Sequence, residues 1–244
     1  MLVVDRVQRS FGPVTAVRNV SFQCERGGVI GLLGPNGAGK TTTMRMILGI
    51  YPPDSGSVTW SGKPIDRLVR KRFGYLPEER GLYAKMKVRD QIAYFGRLHG
   101  MPEFDALKRT DKWLTQLDIE QYAKRPCGEL SKGNQQKVQL ACAVLHEPEL
   151  LVLDEPFGKL DSLTRLRMQG ELVKLWLDAR FSVLLVTHDV EEALFLANRV
   201  IVFSERPARV TAEVRNDAPY PRHRDDPKLV ELRREVLALL GLVA

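Results

Sequence analysis

A glycine-rich segment that ends in a lysine and two threonines, 34–42, is the part of the sequence whose residue types carry the clearest chemistry. It reads GPNGAGKTT and fits the pattern G-x-x-x-x-G-K-[ST]. Glycines let the backbone wrap closely around phosphates, and backbone N–H groups at a helix N-terminus attract an anion. We expect Lys40 to reach the β- and γ-phosphates of a nucleotide and Thr41 to place its hydroxyl on Mg²⁺. Because a predicted strand, 29–33, precedes the segment and a predicted helix, 41–50, follows it, a plain glycine-rich turn explains it less well.

Two carboxylates, Asp154 and Glu155, directly follow an apolar run, 150–153. In a parallel sheet, ligands bind beyond the carboxyl ends of the strands, which is where this pair is expected. Asp154 is predicted to hold Mg²⁺ and Glu155 to polarise a water for attack on the γ-phosphorus. Adjacent strand residues point to opposite sides, so the two need not share one role. On their own they would be explained as solvated acids, and the glycine-rich segment upstream makes that explanation the weaker one.

A second phosphate site is suggested by segment 130–136, which reads LSKGNQQ and begins a predicted helix. Ser131 offers a hydroxyl, and the helix N-terminus offers free N–H groups and the positive end of a dipole. An ordinary N-cap at Ser131 is the alternative.

The elements that must position these residues follow an α/β pattern. Apolar or alternating runs predict strands at 2–6, 16–23, 29–33, 57–60, 150–153, 183–187, 200–203 and 210–214. Several are near-continuous apolar runs, as buried parallel strands are, whereas the early ones alternate, so the lobe over 2–60 is expected to include an antiparallel sheet. The middle predicts helices at 88–98, 104–117 and 131–145. A polar stretch, 215–227, and a final helix, 228–240, form a tail.

Composition narrows the class of protein. The chain has 244 residues, a formal charge of +7 and 44% hydrophobic residues, which excludes a disordered or collagenous protein. The longest uncharged run, 27–39, falls short of the roughly 20 apolar residues of a membrane span. Charges at Asp5 and Arg6 interrupt any secretory signal, so the chain is expected to stay in the cytoplasm. The three cysteines lie far apart without a CxxC pair and are interpreted as packing residues.

The order of these motifs resembles that of the ATP-binding cassette (ABC) ATPases, whose signature LSGGQ is similar to residues 130–134. The resemblance covers residues 2–214. It implies an α/β fold with a P-loop NTPase (RecA-like) core, an antiparallel β lobe and a helical insert. It also implies a nucleotide-binding domain over 1–214, with a helical subdomain at about 88–145, and a tail over 215–244. ATP and Mg²⁺ are the implied cofactors.

The resemblance assigns roles residue by residue. Phe11 matches the aromatic that stacks on adenine, although a half-buried strand aromatic explains it equally well. Asp161 matches a loop that communicates between two nucleotide sites, and His188 matches the switch histidine that contacts the γ-phosphate. The implied nucleotide contacts are Phe11, Gly34, Pro35, Asn36, Gly37, Ala38, Gly39, Lys40, Thr41, Thr42, Ser131, Gly133 and Asp161. The implied metal site is formed by Thr41, Asp154 and Glu78, and the implied catalytic set is Glu155, His188, Lys40 and Glu78.

Three positions depart from the family pattern. Glu78 stands where the family usually has a glutamine that touches Mg²⁺ and the attacking water, and it adds negative charge near the γ-phosphate. Lys132 replaces a glycine of the signature and Asn134 replaces its glutamine. Ser131 and Gly133 are retained, so phosphate binding is expected to survive.

The two parts of the chain resemble different branches of the family. The region over 74–89, including 78–83, and the segment 130–136 look like cassettes of two-component export systems. The part that begins at 156–161 and includes 204–207 and 222–226 looks like importers of nitrate, sulfonates or taurine. We therefore predict an ATP-hydrolysing subunit of a transporter of export type, with an importer subunit of the nitrate, sulfonate or taurine type as the alternative.

The expected partners are a second copy of the chain, or a related ATPase subunit, and an integral membrane transporter subunit. The expected location is peripheral, on the cytoplasmic face of the cell membrane. A soluble cassette acting on nucleic acid or ribosomes is a rival, but it would need two cassettes or a long coiled-coil insert between Lys40 and Ser131. A small-molecule kinase would not need the 130–136 segment. The basic residues Arg67, Arg70, Lys71 and Arg72 are interpreted as a solvated face, and no nucleic acid is expected.

Overall fold

A computed structural model describes residues 1–79 and 81–242 of the chain. Its strands are β1 (Leu2–Phe11), β2 (Val14–Cys24), β3 (Val29–Leu33), β4 (Ser55–Trp60), β5 (Lys63–Pro64), β6 (Phe73–Leu76), β7 (Leu150–Asp154), β8 (Ser182–Thr187), β9 (Arg199–Phe203) and β10 (Val210–Arg215). Its α-helices are α1 (Lys40–Ile47), α2 (Arg67–Arg70), α3 (Val88–Leu98), α4 (Glu103–Gln116), α5 (Lys132–Val144), α6 (Ser162–Ala179), α7 (Val190–Leu196) and α8 (Pro227–Leu239).

The centre of the molecule is a mixed sheet in the order β10-β9-β3-β8-β7-β6. All neighbouring strands from β9 to β6 are parallel, and β10 pairs antiparallel with β9 at one edge. Every residue of β3, β7 and β8 is buried, which explains why these strands are near-continuous apolar runs in the sequence. Because β3, β8 and β7 run parallel, their carboxyl ends lie together at one end of the strands, where ligands of such folds bind.

A second sheet, in the order β2-β1-β4-β5, is antiparallel throughout. Its inward side chains include Leu2, Val4 and Trp60, all buried, and they alternate with more exposed neighbours. The expected antiparallel lobe is thus present, but 29–33 does not belong to it. That run, β3, lies between β8 and β9 in the parallel sheet.

The region between β6 and β7 contains the helices α3, α4 and α5. Helix α3 packs close to the end of α5, where Gly96 leaves so little room that a Cβ atom there would lie 2.6 Å from Leu145 Cδ2. The apolar faces of these helices join the core of the parallel sheet through Ile92, Leu114 and Val138. The antiparallel lobe, the parallel sheet and the helical region confirm the predicted α/β class.

A buried arginine, Arg222, makes several of the contacts that attach the tail to the parallel-sheet core. The Arg222 guanidinium donates hydrogen bonds to five carbonyl oxygens, those of Leu194, Phe195, Ala197, Asn216 and Ala218. Three of these carbonyls lie at the end of α7, so the side chain satisfies acceptors that a helix C-terminus leaves free. Tyr220 Oη donates to Leu196 O (2.7 Å) in the same place. Helix α8 then packs on α7.

Some local predictions differ from the structure. Helix α1 ends near Leu48 rather than at residue 50, because Gly49 has a φ of +65°, a left-handed conformation that terminates helices. Strands β5 and β6 and the short helix α2 were not predicted. The basic run is only partly a solvated face, since Arg72 forms an ion pair with Glu149. The three cysteines are buried and unpaired, as packing residues are.

Within the described ranges, no helix combines the length and the apolar character that crossing a membrane requires.

Candidate active site

The loop between β3 and α1 holds the glycine-rich segment in a conformation that requires glycine. Gly37 and Gly39 have φ angles of +78° and +86°. A Cβ atom on Gly39 would lie 2.7 Å from both Ala16 O and Ala208 Cβ, so a larger residue would force β2 or the β9–β10 connection away. The loop is thus tightly packed on one side, and on the other its residues 36–42 line a cavity.

Lys40 begins α1 and is buried, although it is a lysine. Its Nζ donates to Gly34 O (2.7 Å) and Pro35 O (3.0 Å), so the side chain folds back across the loop. Burial lowers the pKa of Lys40, while the nearby carboxylates of Glu155 and Asp154 act in the opposite direction. A cation held this way lies where phosphate oxygens would meet it.

A cavity of about 530 Å³ lies in front of this loop. It brings together residues from four separate parts of the sequence that were predicted to act at one site, namely Asn36, Gly37, Ala38, Gly39, Lys40, Thr41, Thr42, Glu78, Glu155 and His188. It is also lined by Ala16, Gly158, Lys159 and Arg206, which sequence reasoning did not assign to it. The volume falls in the range typical of nucleotide-sized ligands.

Asp154, the last residue of β7, fits the role of a metal ligand. Its side chain is buried, and Oδ1 makes no hydrogen bond to the described residues. Burial raises its pKa to about 6, and the charges of Glu78 and Glu155 add to the effect. Glu78 and Glu155 are near enough to Asp154 to affect its pKa, and both line the cavity together with Thr41. Oxygen donors of this kind suit Mg²⁺.

Glu155 leaves the strand in a strained conformation. Its φ is +45°, a left-handed value that is uncommon for a residue with a side chain. The direction of the Glu155 side chain is therefore not set by strand alternation, although the sequence led us to expect that Asp154 and Glu155 point to opposite sides as adjacent strand residues do. The turn is held by Glu155 N, which donates to Val186 O (2.9 Å). Its Oε2 lies 2.9 Å from Nδ1 of His188, which follows β8.

Glu78 also lines the cavity and lies two residues beyond β6. Its carboxylate lies 3.7 Å from Nζ of Lys159, which belongs to the loop after β7. Both side chains are about half exposed, so the pair contributes little to stability. The lysine nevertheless offsets part of the negative charge that Glu78 adds. The neighbouring Arg80, which was part of the resemblance to export cassettes, lies outside the described residues.

Ser131 and Gly133 do not line the cavity around Lys40. Ser131 caps α5, since its Oγ accepts from Asn134 N at 3.4 Å. A Cβ atom on Gly133 would lie 2.7 Å from Cγ2 of Thr164 on α6. Asp161 caps α6 and accepts from Thr164 N (3.0 Å), and these bonds lower its pKa. Asp161 is therefore a helix cap rather than only a loop acid, and it lies close to the signature segment.

Two glutamines of α5 connect the signature helix to the cavity walls. Gln136 Nε2 donates to Pro156 O (2.6 Å), just after Glu155, and Gln139 Nε2 donates to Pro77 O (3.1 Å), just before Glu78. Both side chains are buried. The position of α5 is thus tied to both loops that carry carboxylates.

Phe11 lies at the end of β1 with 43% of its surface exposed, and it does not line the cavity around Lys40. Its ring meets Tyr51 edge-on at 5.6 Å between centroids, and Arg9 lies 5.1 Å from the ring centre. A partly exposed ring beside an arginine suits base stacking, but these contacts also fit a half-buried strand aromatic.

The chain is similar to known proteins over most of its length. A family model described as "ABC transporter" matches residues 17–158. A Bacillus subtilis protein named as the uncharacterized ABC transporter ATP-binding protein YhaQ is 43% identical over 205 residues, which cover 84% of this chain and 68% of that protein. A Bacillus cereus protein named as the aliphatic sulfonates import ATP-binding protein SsuB is 32% identical over 226 residues, covering 93% of this chain and 88% of that one.

A solved structure has the same fold over almost the whole chain. It is that of cbiO1 from Clostridium perfringens, described as part of the ABC transporter complex cbiONQ, with a TM-score of 0.81 and 26% identity. The match covers 99% of this chain and 94% of that one.

Proposed function

Because this chain belongs to the ABC transporter family and is an ATPase of that family, we propose that two copies of it close around two ATP molecules and so drive a membrane partner. The single observation that supports the dimer is that the two proposed phosphate-binding elements of one chain, the 34–42 loop and the 130–136 segment, do not line the same cavity. Lys40 lines the cavity, whereas Ser131 and Gly133 do not. In a head-to-tail pair, the signature segment of one copy faces the cavity of the other.

Within each site, the chain's own residues hold and activate the reactants. The N–H groups of the 34–42 loop and Lys40 bind the phosphates. Thr41, Asp154 and Glu78 would hold Mg²⁺, which would neutralise phosphate charge. Glu155 accepts a proton from the attacking water, and His188 orients that carboxylate through its Nδ1. The glutamine contacts of α5 carry the closure of the site to the helical region.

We further infer that the membrane partner is the transmembrane subunit of an importer of the sulfonate or taurine type. The relative named for aliphatic sulfonate import aligns over 93% of the chain, and export finds no support among the names of these relatives. The chain would then lie on the cytoplasmic face of the membrane, against an integral membrane subunit.

Size-exclusion chromatography of Glu155→Gln with and without saturating ATP tests the dimer. Because losing the carboxylate should block hydrolysis and leave the phosphate-binding loop intact, we expect ATP to shift this variant from monomer to dimer and ADP not to do so. Glu231→Gln, an exposed substitution on α8, should behave as the wild type. A variant that stays monomeric at saturating ATP would contradict the proposal.

The import direction has its own test. Cells lacking the chain should take up less aliphatic sulfonate or taurine, and the wild-type chain, but not Lys40→Ala, should restore uptake. Unchanged uptake combined with impaired efflux would reverse the assignment without affecting the ATPase.

A further inference from the structure

The connection between β9 and β10, residues 204–209, is packed against the phosphate-binding loop. Ser204 N donates to Arg209 O (3.0 Å), which closes the connection into a compact turn. Ala208 N donates to Ala16 O (3.0 Å), and Arg18 N donates to Ala208 O (2.9 Å). These bonds join the turn to β2, so its backbone is fixed relative to the loop.

The same contacts place Arg206 at the cavity. The buried Ala208 occupies the space beside Gly39, and Arg206 reaches forward so that its Nε donates to Gly37 O at 3.4 Å. Arg206 lines the cavity together with Lys40, Thr41 and His188. Arg209, at the other end of the turn, is exposed and does not line it.

The charges of the cavity leave Arg206 available to a ligand. Lys40 is engaged with two carbonyl oxygens, and Lys159 lies 3.7 Å from the Glu78 carboxylate. Among residues 1–79 and 81–242, Arg206 has no carboxylate within ion-pair distance, and its contact with Gly37 O is long. A guanidinium with several free N–H donors beside phosphate-binding N–H groups matches the oxygens of a polyphosphate.

We propose that Arg206 is a nucleotide-binding residue that contacts a phosphate oxygen of the ATP or ADP held by the 34–42 loop. This inference rests on the proposed function, because it takes the loop as the nucleotide site. The ligand class is a nucleoside di- or triphosphate. The turn over 204–209 then forms one wall of the nucleotide site, in addition to its role as a link between two strands.

Titration of the full chain with a fluorescent N-methylanthraniloyl ATP and the corresponding ADP tests this. We expect Arg206→Gln to raise the Kd for both about tenfold, in line with the loss of one charge-assisted hydrogen bond, and Arg206→Lys to recover part of the affinity. Arg209→Gln is the matched control, with the same change of charge in the same turn, and should bind as the wild type. Circular dichroism and melting without nucleotide verify that each variant is folded.

Lys40→Ala distinguishes an error in the role of Arg206 from an error in the assignment of the 34–42 loop as the nucleotide site. If the wild type binds, Lys40→Ala does not, and Arg206→Gln binds as tightly as the wild type, the role of Arg206 is wrong and the nucleotide site stands. An equal loss of affinity in Arg206→Gln and Arg209→Gln would show a general charge effect and would also overturn the assignment. If the wild type fails to bind either nucleotide, the proposed function itself is wrong.

Discussion

Nδ1 of His188 and Oε2 of Glu155 lie 2.9 Å apart, across the ends of two neighbouring parallel strands. A carboxylate oxygen can only accept, so Nδ1–H is the donor in this contact and Nε2 takes no part in it. The histidine therefore fixes the direction of a carboxylate whose backbone is already held at a left-handed φ. Two independent constraints, one on the backbone and one on the side chain, orient the same group.

We predict that His188→Ala lowers ATP turnover by about 10²-fold, because Glu155 loses its orienting partner. The Kd for ATP should change much less, since the loop and Lys40 remain. Phosphate-release kinetics and a binding titration measure the two quantities separately. His223→Ala, an exposed histidine in the tail, serves as the control. Parallel losses of affinity and turnover in His188→Ala would assign the histidine to nucleotide binding instead.

A second prediction concerns pH and Asp154. Burial raises its pKa in the folded chain to about 6, above the ordinary value of 3.8, so the folded state disfavours the ionised form. At low pH the Asp154 carboxyl is neutral and its burial carries no cost of ionisation. As the pH rises from about 4 to 6, the carboxyl ionises more readily in the unfolded chain, so the free energy of unfolding falls. Asp154→Asn removes this effect. Without metal and nucleotide, its melting temperature should exceed that of the wild type by more at pH 7.5 than at pH 4.5.

Scanning fluorimetry in the presence of EDTA measures this difference. Asp178→Asn, which changes an exposed aspartate on α6, should show no such dependence. If the melting temperatures of Asp154→Asn and the wild type differ by the same amount at both pH values, ionisation of the Asp154 carboxyl does not destabilise the fold.

A third prediction concerns the approach of α5 to α6. In Gly133→Ala, the new Cβ atom would meet Cγ2 of Thr164 at 2.7 Å, and we expect the free energy of unfolding to fall by about 1 kcal/mol. Thr164→Ser removes that methyl group, so the double variant should regain the lost stability. Urea unfolding of the two single variants and the double variant gives the coupling. If the changes in the free energy of unfolding of the two single variants simply add in the double variant, the residues at positions 133 and 164 do not clash.

A fourth prediction separates the two explanations of Phe11. If its ring stacks on adenine, Phe11→Ala should raise the Kd for ATP about tenfold while leaving the affinity for inorganic tripolyphosphate unchanged. Isothermal titration with both ligands measures this. Phe104→Ala, which alters an even more exposed phenylalanine on α4, is the control. An unchanged Kd for ATP would leave Phe11 as a strand aromatic that packs on Tyr51.

The sequence was informative where chemistry is local. The glycines of 34–42, the apolar run before Asp154 and the cap at Ser131 each act within a few residues, and their strands and helices were predicted within one to three residues at the ends. The α/β class and the family were correct for the same reason.

Long-range placement could not be predicted. Strand β6 is only four residues long and becomes a strand by pairing with β7, far along the chain. Arg206 reaches a loop that precedes it by 169 residues, and no periodicity indicates that contact. The pairing of Glu78 with Lys159 likewise depends on how two loops meet. Such contacts arise from sheet order, which local patterns do not encode.

The five hydrogen bonds of Arg222 bear on where the cassette can be cut. A fragment ending at Val214, the predicted limit of the nucleotide-binding domain, would lack the guanidinium and leave carbonyl oxygens at the end of α7 without their donor. Helix α7 begins two residues after His188, so loosening its C-terminal end would reach that histidine through a single short helix. The predicted domain limit at Val214 therefore excludes a residue that packs into the folded core, and a fragment intended for expression should retain the tail through Arg222.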